Sequence, residues 1–253
     1  MSQFEGLPGL IRLCIIMSMK SIFFVSPQTG FGMKGLRWVS LIALLAVASC
    51  FHGGSLQAAE AKTVYQNNFE TNAVGPVPGD FLVIAGEFAI KEDAGNKMLE
   101  LPGEPLDSFG LLFGPTLNPA EGALTVSARF NGTKKGRRYP TLAVGLGNQG
   151  SYRVQISPAK AAVEIYHGDI AVTNAPFEWK SGQWTFLKIQ VTKSGDQFKV
   201  EGKVWLDGQK EPEQSTVTWI EDKEFSPGRP SIWASPFSNT PIQFDDFLAT
   251  QVR

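Results

Sequence analysis

The sequence predicts an all-β protein, a two-sheet antiparallel sandwich spanning residues 59–253 behind a leader at residues 1–58. Three observations lead there. Beyond the leader there is no long segment of 3.6-residue hydrophobic period. Short alternating runs recur instead, each stopped by Gly, Pro, Asn or Asp, which is how sandwiches and barrels read. Both cysteines, Cys14 and Cys50, lie in the leader, so residues 59–253 have no disulfide or thiolate metal site available and depend on a core.

The leader comes first. From Met33 the chain reads MKGLRW, then the apolar run VSLIALLAVASCF, then HGGSLQAAEA. A basic start, an apolar run and small residues before a boundary make a secretory signal peptide. The run falls short of the roughly 20 residues that span a bilayer. Met33 begins a complete signal by itself, so residues 33–58 are expected to direct export, with cleavage after Ala58, Ala59 or Ala61. Val47-Ala48-Ser49-Cys50 offers a second route, lipidation of Cys50. The expected location is secreted, periplasmic or on the cell envelope of a bacterium.

Without the leader the chain keeps 19 basic and 23 acidic groups, a net charge near −4. It lacks a Lys/Arg stripe, so it carries no electrostatic footprint for nucleic acid. Lys134-Lys-Gly-Arg-Arg138 is a charged turn, and the Asn131-Gly-Thr133 sequon is idle in a bacterial chain.

The alternation predicts strands at 64–70, 81–91, 97–102, 109–114, 122–131, 140–147, 151–157, 160–167, 184–192, 198–206, 229–235 and 241–249, with Asp207–Pro227 the longest irregular stretch. Two hairpins can be registered. Ser151–Ser157 meets Lys160–Tyr166 across Pro158-Ala159, which sets Arg153 opposite Glu164. Trp184–Thr192 meets Phe198–Leu206 around Ser194-Gly195-Asp196, pairing Val191 with Val200, Leu187 with Val204 and Phe186 with Trp205. Because side chains alternate between faces, Phe186 and Trp205 then stand on a polar face among Lys188, Gln190, Glu201 and Lys203.

Tyr65-Gln-Asn-Asn-Phe-Glu70, Trp184-x-Phe-Leu-Lys-Ile-x-Val191, Val204-Trp-Leu-Asp-Gly208 and Ile242-Gln-Phe-Asp-Asp-Phe-Leu248 occur in that order. Together they resemble the concanavalin A-like lectin/glucanase jelly rolls, especially the laminin-G-like modules of exported bacterial proteins. The resemblance implies two packed sheets, with glycan held on the concave one. It also implies a structural calcium between the first and last strands, with Glu70, Asp246 and the Gly86 carbonyl as ligands. In a regular strand Asp245 points away from Asp246, so the two are not expected to bind one ion.

For a glycan, exposed aromatics supply flat walls and a few polar groups fix the hydroxyls. Trp205, Phe186, Arg153, Glu164 and Tyr166 form such a set if both hairpins lie in one sheet. The competing reading is that loops or a further strand cover Phe186 and Trp205 as core, and Trp179, Trp219 and Trp233 share that ambiguity. Catalysis finds little support. The Glu-x-Asp-x-Glu strand of the glucanases, which sets carboxylates on one face, is missing. Gln155-Ile-Ser157 lacks the histidine of alginate-lyase-like jelly rolls, and the Asn-Ser-Gly-Ile signature of keto-disaccharide hydrolases is absent. His167, the one histidine after the leader, would have to carry any Ser-His-Asp triad. The expectation is a non-catalytic module, carbohydrate-binding or structural at the cell surface, with a carbohydrate-active enzyme of atypical catalytic residues as the alternative.

Overall fold

Alternating short runs become strands throughout. The computed structural model describes residues 61–103, 107–148 and 151–252; the leader, Met33 and Cys50 lie outside them. In chain order the strands are β1 (Ala61–Asn67), β2 (Gly75–Pro76), β3 (Leu82–Ala85), β4 (Ala89–Asp93), β5 (Asn96–Leu101) and β6 (Phe109–Leu112). Then come β7 (Ala123–Asn131), β8 (Thr141–Leu146), β9 (Tyr152–Ser157), β10 (Ala162–His167) and β11 (Ile170–Pro176). The last five are β12 (Thr185–Ser194), β13 (Gln197–Leu206), β14 (Val217–Glu221), β15 (Ser231–Ser235) and β16 (Ile242–Val252). Helical structure among the described residues is confined to short 3-10 turns such as Pro158–Lys160.

These strands make two antiparallel sheets. One has nine strands, ordered β14-β13-β12-β7-β16-β5-β4-β2 with β1 also on β16; the other has seven, ordered β11-β10-β9-β8-β15-β6-β3. Their facing sides supply one core: Val126, Ala128, Phe130, Leu187, Ile189 and Val191 against Leu142, Val144, Val154, Ile156, Val163 and Ile165, all fully buried. The architecture is an all-β two-sheet antiparallel sandwich, one of the two forms the alternation allowed.

Long-range pairing changed several local expectations. Residues 81–91 are two strands in different sheets, because the chain turns at Gly86 (φ +107) and crosses from β3 to β4. Only glycine adopts that backbone without strain. The stretch Asp207–Pro227 contains β14, and β11 follows the first hairpin. That hairpin closes through a 3-10 turn rather than a two-residue loop, so its register moves by two. Arg153 faces Tyr166, and Glu164 faces Gln155. A two-residue shift preserves the faces, so Tyr152, Val154, Ile156, Val163 and Ile165 still point into the core, while Ala161, expected with them, ends the 3-10 turn at φ +50 and is exposed. The second hairpin has the expected register, with Val191 on Val200, Leu187 on Val204 and Phe186 on Trp205.

Candidate functional site

The two hairpins fall in opposite sheets, β9–β10 in the seven-stranded one and β12–β13 in the nine-stranded one. Trp205 and Phe186 are thereby parted from Arg153, Glu164 and Tyr166. The five residues do not form one site; each group looks outward from its own side of the sandwich.

On the seven-stranded sheet, cross-strand register builds a surface row by row. One row runs Tyr166, Arg153, Gly145, Ser231, Leu112 and Leu82; the next runs Glu164, Gln155, Ala143, Trp233 and Gly110. Gly145, Ala143, Ser231 and Gly110 put short side chains beside Trp233 and Leu112 on the middle strands, a trough in side-chain length between the Tyr166–Arg153 side and the exposed Leu82 and Ile84. Trp233 lies flat in this trough. Its ring covers Gly110, where an added Cβ would sit 2.5 Å from it, and its Nε1 donates to Ser231 Oγ at 3.0 Å.

Arg153 lines the trough with its guanidinium 5.2 Å from the Trp233 ring centroid and 5.7 Å from that of Tyr166. Its Nη2 donates to the Gly168 carbonyl at 2.6 Å, which holds the flat group in place. Glu164 is buried yet charged. Ser157 Oγ donates to it at 2.5 Å, Lys160 Nζ at 3.0 Å and Tyr166 Oη at 3.2 Å. Burial pushes its carboxyl up, but these donors outweigh burial and hold it below the usual range. An ionised Glu164 orients Tyr166; it is not poised to give up a proton.

On the nine-stranded sheet, Phe186 and Trp205 stack with centroids 5.1 Å apart and planes 6° from parallel. Neither is buried: both remain partly exposed and line a groove of about 290 Å³. The reading that further chain covers them is set aside. Trp179, by contrast, is core, and Trp219 packs against the core in part.

Beside the groove, Arg129 gathers three carboxylates: Asp245 at 2.7 Å, Asp246 at 2.9 Å and Asp207 at 3.3 Å. Asp245 and Asp246 both reach it because β16 bulges there. The pairing with β7 slips between Asp245 and Leu248, and Asp246 adopts φ +51. The regular alternation expected at this point fails for that reason. Burial is the main cause that raises the Asp246 pKa; Arg129 opposes it, and Asp245, Asp207 and Glu70 add to it.

This arrangement does not fit calcium at Glu70, Gly86 and Asp246. Asp246 already gives Oδ2 to a guanidinium, which leaves it one oxygen. Glu70 Oε1 accepts the Lys97 N–H at 3.2 Å while Lys97 Nζ donates to the Glu70 carbonyl. Among the described residues no three His, Cys, Asp or Glu side chains come together as metal ligands.

His167 stacks on Tyr152 at 4.4 Å, and its Nδ1 is 3.5 Å from Glu221, the carboxylate to which the Tyr152 hydroxyl donates. These contacts clasp β9 and β10 to β14 across the sandwich.

Trp233 is the residue that sequence reasoning left unassigned. The signal was present in Ser231-Ile-Trp-Ala-Ser235, where Ile232 and Ala234 are core and Trp233 must therefore point outward.

No protein-family model matches the chain, and no curated protein matches it in sequence. Solved structures do match. The winged bean acidic lectin complexed with methyl-α-D-galactose aligns at TM-score 0.53 and 11% identity, covering 77% of this chain and 100% of that one. Arcelin-5, a lectin-like defence protein from Phaseolus vulgaris, aligns at 0.51 and 8%, covering 76% and 99%. A carbohydrate recognition domain of Emp46p aligns at 0.51 and 11%, covering 75% and 97%. At such low identity the likeness concerns architecture, and on that architecture it agrees with the strand order: this chain has the concanavalin A-like lectin sandwich fold.

Proposed function

We propose that this chain is an exported, non-catalytic carbohydrate-binding module whose ligand lies in the trough of the seven-stranded sheet. The observation that carries the reading is Trp233, laid flat on Gly110 within a floor of small residues, with Arg153 against its ring. The C–H face of a sugar ring stacks on such an indole, while Arg153, Gln155 and Tyr166 offer groups for its hydroxyls. Glu164 keeps Tyr166 in position. Because its charge is held by three donors, it is a poor general acid, which favours binding over hydrolysis. The lectin fold supports the same reading, and the signal-like segment 33–58 supports export.

A glycan-array screen of the full chain, with Trp233→Ala and Arg153→Ala beside it, tests this. Binding by the wild type and at least tenfold loss in both variants is expected. Undiminished binding by Trp233→Ala would remove the trough as the site. Release of reducing ends from a bound glycan would make the chain an enzyme. N-terminal sequencing of secreted protein checks the leader, with starts between Ala59 and Lys62 expected.

A further inference from the structure

We propose a second saccharide site, on the opposite face of the sandwich: the Phe186–Trp205 groove takes one ring of a neutral or amino-bearing glycan and rejects uronates. This builds on the reading of the chain as glycan-binding and makes it bivalent.

The groove follows from register. Trp205, Phe186, Arg129 and Asp245 stand in one row; Lys203, Lys188, Ser127, Leu248 and Gln66 stand in the next. Ser127 is the smallest of the second row, so the surface sinks there. The stacked rings form one wall, while Gln66, Asn68 and Asp246 line the other side. At about 290 Å³ the space lies near the lower bound of ligand clefts, roughly 300 Å³, and suits a single ring.

Its polar lining is uncommitted. Among the described residues, the side chains of Gln66, Asn68 and Ser127 make no hydrogen bond, and Asp246 engages Arg129 through Oδ2 alone. A flat apolar wall opposite free donors and acceptors matches a pyranose, which has a C–H face and a rim of hydroxyls. The charges set the preference. Lys188 and Lys203 share Glu211, at 2.6 and 2.9 Å. Arg129 has three carboxylates and also lies 4.7 Å over the Trp184 ring. Three cations therefore face four carboxylates, and the oxygen left open is that of Asp246. A hydroxyl or ammonium group is welcome there, and a carboxylate is repelled. Sites on opposite faces cannot grip one ring together. They bridge two polysaccharide strands, and such linkage raises retention without new contacts.

Calorimetry on the full chain with three probes tests this: a chitosan oligosaccharide, a galactomannan oligosaccharide and an alginate oligosaccharide. In a Trp233→Ala background, chitosan or galactomannan binding should persist and fall at least tenfold on adding Trp205→Ala. The exposed pair Gln66→Ala and Asn68→Ala should do the same without touching the rings, which guards against a folding defect. The groove is overturned if neither change alters binding, or if Trp233→Ala alone abolishes binding of every probe; the latter leaves the trough standing. Loss with Trp205→Ala but not with Trp233→Ala would overturn the trough and keep the groove. Alginate binding that depends on Trp205 would overturn the selectivity. A wild-type chain that binds none of the three would overturn both sites.

Discussion

The indole of Trp233 occupies the space that a side chain at Gly110 would need, with an added Cβ only 2.5 Å from the ring. Gly110→Ala should therefore push the indole off the floor. Crowding of this kind costs about 1–3 kcal/mol, and a tilted ring should lose glycan affinity along with stability. Thermal melts and array binding of Gly110→Ala check both effects. A variant that melts and binds like the wild type would show that the close approach does not hold the ring.

Trp205 is partly exposed and stacked on Phe186, which places its removal between a surface change and a core cavity. The expected loss for Trp205→Ala is about 1–2 kcal/mol, the worth of the stack and some apolar cover, or roughly 2–8 °C for a domain of this size. A fully buried aromatic would cost about 3–5 kcal/mol. A larger drop in melting temperature would make Trp205 core and close the groove as a site.

Glu164 and Asp246 should respond oppositely to acid. The native pKa of Glu164 is lowered: burial raises it, but Ser157, Lys160 and Tyr166 outweigh that. A carboxylate below its unfolded value, about 4.3, adds stability at neutral pH that is lost as the pH falls through the native value. Glu164→Gln should cost about 1–3 kcal/mol at neutral pH, and the gap to wild type should narrow as the pH falls below the unfolded value and through the lowered native one. The Asp246 pKa is raised, chiefly by burial, so its ionisation works against folding and is relieved by acid. Asp246→Asn should melt no lower than the wild type at neutral pH. Melts of both variants across the acid range check the two signs together.

Calcium should not stabilise the fold. Arg129 already engages the Asp246 carboxylate, and Lys97 holds Glu70, its N–H on the carboxylate and its Nζ on the Glu70 carbonyl. Melting in chelator and in calcium in the millimolar range should agree within about 1 °C, since only a ligand bound to the native state raises the midpoint. A clear rise with calcium would show that these cations yield their places.

Alternation within a strand is local, and what depends on it could be read directly. The Phe186–Trp205 pair, the core partners Val191 and Val200, and the outward face of Arg153 follow from a period of two, whichever sheet the strand joins. The partner sheet is not local. β12 pairs with β7 from far earlier in the chain, while the first hairpin joins β8 and, through it, β15. Those choices placed Arg153 and Trp205 on opposite faces and brought Trp233 beside Arg153. The bulge at Asp246 is of the same kind. Asp245 and Phe247 are both buried, on opposite sides of the sheet, with Asp246 as the extra residue between them. Alternation foresees no extra residue, because the gain lies in seating Phe247 in the core and both carboxylates on Arg129, contacts that exist only once β7 and β16 are paired.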